Sequence, residues 1–135
     1  MKTKVLSLFL VASCVFVMAA ACEVTTANIT DVRMCDNSQN LQCPEDNPSF
    51  TTITPEIYCT VVLNNAPEGT VVTASWYYLE DELTFIDSAA LTSEETTSDL
   101  EFLLTKPTND WPVGNYKVEL QINNEEPLVK EFSVQ

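Results

Sequence analysis

The 135-residue chain carries 20 acidic residues against 6 basic ones, a net charge of −14, and has no histidine. That charge repels nucleic acid and anionic membrane surfaces, so nucleic-acid binding is excluded, and without histidine there is no His-dependent triad, no His zinc ligand and no imidazole general base. Its 2 glycines cannot form a Gly-rich phosphate loop, so no cofactor, metal site or catalytic residue is expected and nothing marks an enzyme.

Met1 to Lys4 is a short basic region ahead of an apolar run from Val5 to Ala21, in which only Ser7 and Ser13 are clearly polar. A basic start, an apolar middle and a small-residue end are the layout of an export signal. The run falls short of the roughly 20 apolar residues that a permanent membrane span needs. Two processing routes compete. Ala19 and Ala21 suit ordinary signal peptidase, which would release a soluble protein. Small residues directly before Cys22 also resemble the lipobox of bacterial lipoproteins, in which Cys22 would be acylated. Val11-Ala12-Ser13-Cys14 is similar, after an unusually short apolar region. Glu23, rather than Asp, follows Cys22, which by that resemblance directs the protein to the outer membrane. Residues 1–21 are thus expected to be the signal, 22–27 a short tether and 28–135 one domain. The mature chain keeps four basic and all 20 acidic residues, 4 − 20 = −16.

Ala27 to Met34 alternates imperfectly and reads as an edge-like strand; its Asn28-Ile29-Thr30 is a glycosylation sequon. Residues 36–55, rich in Asn, Pro, Ser, Thr and acid, read as loop. Cys35 and Cys43 bracket the polar segment DNSQNLQ and are the preferred disulfide pair, since an exported protein meets an oxidising compartment. With Cys22 free, four cysteines allow three pairings. No CxxC pair is present, which weakens a zinc reading.

Glu56 to Leu63 is a strong strand, with Cys59 on the face of Ile57, Val61 and Leu63, a small hydrophobe facing the core. A turn cluster from Asn64 to Gly69 precedes a second strong strand, Thr70 to Leu79. There Val72, Ala74, Trp76 and Tyr78 share one face, and Tyr77 points the other way. Trp76 is expected in the core. The competing reading is an aromatic ligand patch of Trp76, Tyr77, Tyr78 and Trp111. After the acidic turn Glu80-Asp81-Glu82 comes a short strand, Leu83 to Ser88, with Leu83 and Phe85 on one side. A separate strand around Leu91 is compatible with the polar segment that follows. Asp99 to Thr105 alternates Leu100, Phe102 and Leu104, and Pro127 to Val134 closes the chain with Leu128, Phe132 and Val134.

The segment WPVGNYKVEL, Trp111 to Leu120, organises the rest. Pro112 keeps Trp111 extended, Gly114 allows a tight corner, and Tyr116, Val118, Leu120 and Ile122 then form one apolar face. Its G-x-Y-x-V order resembles the tyrosine corner of immunoglobulin-like sandwiches, with Val118 where antibody domains carry a core Cys. The plainer alternative is a strand after a turn. Seven or eight short strands with a turn about every ten residues, and no amphipathic helix, predict an all-β, Ig-like antiparallel β-sandwich.

Phe50 to Cys59, NNAPEGTVVTASWYY, the W-P-x-G-x-Y-x-V segment and the closing KEFSV together resemble a bacterial lipoprotein domain family of unassigned function, with an Ig-like or fibronectin-like fold. The resemblance implies an export-anchored, non-enzymatic module and supplies no active site. The expected function is a cell-envelope lipoprotein, anchored at the outer membrane or cell surface through lipid alone. Its domain would bind an envelope or extracellular protein by an exposed sheet edge or by loops. The alternative is a secreted inhibitor or accessory subunit.

Overall fold

The computed structural model describes residues 26–135, so the signal, the lipobox and the acylation expected at Cys22 lie outside the described residues. Eight strands form: β1 (Asn28–Cys35), β2 (Ser49–Phe50), β3 (Glu56–Asn64), β4 (Val71–Tyr78), β5 (Thr84–Thr92), β6 (Ser98–Thr105), β7 (Gly114–Ile122) and β8 (Leu128–Val134). They make two sheets, ordered β1-β3-β6 and β2-β8-β7-β4-β5, packed face to face as an Ig-like sandwich. All pairings are antiparallel except β2 with β8.

Period-two alternation sets what each strand buries. Ile57, Cys59, Val61 and Leu63 of β3 and Leu100, Phe102 and Leu104 of β6 line one side of the core. Val72, Ala74 and Trp76 of β4, Tyr116 to Ile122 at even positions of β7, and Phe132 and Val134 of β8 line the other. Fully burying side chains of this size stabilises by about 1.5–3 kcal/mol each. Ala27, at the end of the expected tether, is also buried against this core.

The structure departs from the sequence reading at three places. Residues 36–55 are not all loop: β2 forms because Phe50 is buried edge-on against Phe132, at 5.8 Å, and its carbonyl accepts from Gln135 N. The expected short strand at Leu83–Ser88 and the separate one near Leu91 are one continuous strand, β5, which follows β4 with a single register shift beside Trp76. Leu83 and Phe85 pack into no core and are 61% and 57% exposed. Leu128 does not join Phe132 and Val134 in the interior but stays 39% exposed. The uneven start of β1 has a physical cause: a bulge between Thr30 and Arg33, with Asp31 at φ 52.

The loop between β1 and β2 is tied down at several points. Cys35 and Cys43 form a disulfide, Cys43 N donates to Thr60 Oγ1, and Arg33 Nη1 donates to the Cys43 and Pro44 carbonyls. Asp46 accepts from Met34 N and from Lys130 Nζ, the latter at 2.6 Å. Partial burial pushes its carboxyl pKa up, but Lys130, the Met34 N–H and Arg33 outweigh burial and hold it below the ordinary value.

Candidate functional site

The Trp111–Tyr116 corner closes one end of the sandwich. Tyr116 Oη donates to the Pro112 carbonyl at 2.6 Å, which is the tyrosine-corner bond. The Tyr116 ring stacks on Phe132 at 5.1 Å and meets Trp111 edge-on at 6.4 Å. Trp76 packs edge-on against the same Phe132. Burial disfavours the phenolate and, with Tyr78 nearby, pushes the Tyr116 pKa up to about 12. Gly114 at φ 143 is required here, because a Cβ would lie 2.4 Å from Glu80 Cγ. Glu80 Oε1 in turn accepts from Asn115 N at 2.7 Å, so the β4–β5 turn clasps the start of β7.

The sequence-derived site residues fall into separate groups. Trp76, Tyr116 and Val118 sit in the five-stranded sheet, each 1% exposed or less, and Cys59 is fully buried in the opposite sheet. The aromatic ligand patch does not form. Trp111 is 4% exposed, with its indole Nε1 donating to the Thr54 carbonyl at 2.7 Å. A loop residue has no periodicity to reveal its burial, which is why the sequence left this open. Cys59 is a poor nucleophile, since burial pushes its thiol up to about 12. Among the described residues no group of three or more His, Cys, Asp or Glu is placed to hold a metal.

The surface that stands out is β5. It is the edge of the five-stranded sheet, and of its nine residues only Ile86 is even half-buried. Ser93 N donates to the Thr70 carbonyl, and antiparallel bonding alternates from there. Asp87, Ala89 and Leu91 therefore bond β4, while the N–H and C=O groups of Ser88, Ala90 and Thr92 point away from the sheet. On the outer face Phe85 meets Tyr77 edge-on at 5.8 Å, and Lys117 Nζ lies 5.2 Å from the Tyr77 ring centre. On the inner side Thr84, Ile86 and Tyr78 border an apolar cleft of about 190 Å³ floored by Trp111, Pro112 and Tyr116.

Acidic turns bound β5 at both ends: Glu80-Asp81-Glu82 before it and Glu94-Glu95 after it. The four ion pairs among the described residues use Asp31, Asp110, Glu119 and Asp46, and none of these turn carboxylates. The sequence reading divides Ser88-Ala-Ala-Leu-Thr92 between two strands and does not single it out as a binding surface; its signal is a small, uncharged run with no Gly or Pro between two acidic turns. No protein-family model matches the chain, and no curated protein matches it.

Proposed function

We propose that the chain is an exported cell-envelope lipoprotein, anchored through Cys22, whose Ig-like domain is a non-enzymatic module that binds another protein along β5. The layout of the first 22 residues and the lipoprotein-family resemblance support the anchoring. The observation that carries the binding role is a nine-residue edge strand exposed on both faces, with apolar Phe85 and Leu91, and Leu83 just ahead of the strand, in solvent. Edge strands are ordinarily shortened, covered or charged against pairing. This one keeps only the bulge and Asp87.

Two measurements test the two halves. The intact mass of protein from native membranes is expected to show an acylated Cys22 terminus and a two-hydrogen gain on reduction. An unmodified terminus would move the secreted inhibitor or accessory reading to first place. A photo-reactive residue at Phe85 is expected to give a protein adduct in cells, and one at Val129 of β8, which is also exposed, is expected to give none. No adduct at Phe85 would remove the binding role.

A further inference from the structure

Resting on that reading, we propose that the occupant of β5 is an extended segment of a partner protein, with small and apolar residues at its centre and basic residues at both ends, added as a sixth strand. Strand addition uses the outward N–H groups of Ala90 and Thr92 and the outward carbonyls of Ser88, Ala90 and Thr92 for main-chain hydrogen bonds, while the Ser88 N–H is already taken by Asp87 Oδ1 at 2.8 Å. Alternate side chains of the added strand would fall on the inner side, toward Ile86 and Leu91, which favours apolar residues at every second position.

Charge selects the flanks. Nine residues of strand separate the two acidic turns by about 30 Å, several times the Debye length of about 8 Å at physiological salt. Each cluster therefore acts on its own end of the incoming segment. Because both ends of β5 are acidic, basic flanks fit in either strand direction. The same pattern disfavours a second copy of this chain. Two β5 strands paired antiparallel would bring Glu80-Asp81-Glu82 of one copy beside Glu94-Glu95 of the other, and like charges across an interface suppress association.

The test uses the mature domain and two fluorescent peptides, KRTVTVTVTVKR and EETVTVTVTVEE, read by anisotropy. The basic-flanked peptide is expected to bind, with affinity falling on the order of tenfold between low and physiological salt, and the acidic-flanked one is expected not to. Ala90→Pro removes an outward N–H that β4 does not use, and edge strands tolerate proline there, so it is expected to abolish binding with the urea midpoint retained. Should that variant unfold, Glu94→Gln with Glu95→Gln is expected to weaken binding and flatten the salt dependence. Equal binding of both peptides, binding of neither, or a salt-insensitive affinity overturns the proposal. So does a concentration-dependent dimer, seen by sedimentation, that Ala90→Pro removes. A β5-specific adduct in cells alongside failure of the peptides would refute the partner chemistry alone and leave the binding role standing.

Discussion

Replacing Tyr116 by Phe isolates the corner hydrogen bond from the packing around it. The ring contacts survive: the stack on Phe132, the edge contact with Trp111 and the tilted contact with Tyr78 at 4.8 Å. What is lost is one bond of 2.6 Å to the Pro112 carbonyl. A typical intramolecular hydrogen bond contributes about 0.5–1.5 kcal/mol net, and a buried acceptor left without a donor costs about 1–3 kcal/mol. Pro112 lies in an exposed stretch, so water can reach part of the abandoned acceptor and a loss of about 1 kcal/mol is expected. In a domain of this size that lowers Tm by about 4 °C. The pH dependence carries a second signature. The folded-state pKa is raised from 10.0 to about 12, so the contribution of this phenol is intact below about pH 10 and is lost as pH rises through 12. The stability gap between the parent and the Phe variant should narrow over that window. Urea denaturation at pH 7 and again between pH 10 and 12 checks both parts. Equal midpoints at pH 7, or a gap that stays constant to pH 12, would refute the reasoning.

Trp76→Ala removes a ring that is 1% exposed and packs against Phe132, and should cost about 3–5 kcal/mol by urea denaturation. Converting Cys35 and Cys43 to Ser opens a short loop, with a loss of about 2–3 kcal/mol in the chain-entropy model, measured against the parent under non-reducing conditions. Cys59 should resist a thiol reagent such as DTNB in the native protein and react stoichiometrically in denaturant, because burial both shields it and raises its pKa. Fast labelling under native conditions would mean the core opens at β3.

The strands legible in the sequence were those whose alternation matches one buried face and one exposed face. In β3, β6 and β7 the apolar positions read from the sequence are the buried ones, in β4 all but the half-buried Tyr78 are, and the corner was legible because Gly114 and Tyr116 sit at fixed offsets. What stayed hidden depends on contacts between distant segments. β2 is two residues long and is specified by Phe132 and the β8 backbone, 82 positions further on in the Phe50–Phe132 contact (132 − 50). The sequence divides β5 at Ser88 because the strand buries neither face, and a strand without a buried face leaves no periodic trace. Glu80 looked like one of three turn carboxylates, and only the fold shows it holding Asn115.

The placement of β1 has a mechanical consequence. A force entering ahead of Thr26 and resisted at β5 passes from one sheet to the other, because the two strands belong to different sheets. β1 meets such a load at its Asn28–Asn64 end and peels from β3 one hydrogen bond at a time, the weak direction for a β ladder. Peeling reaches Cys35 and is then handed across the disulfide to Cys43, whose N–H is held by Thr60 on β3. The crosslink holds Cα atoms 8 positions apart in sequence at 5.7 Å, and so withholds about 21 Å of extension at 3.4 Å per residue. Load therefore arrives at the centre of β3 with the intervening loop still folded, and the disulfide acts as a stop on extension as much as a source of stability.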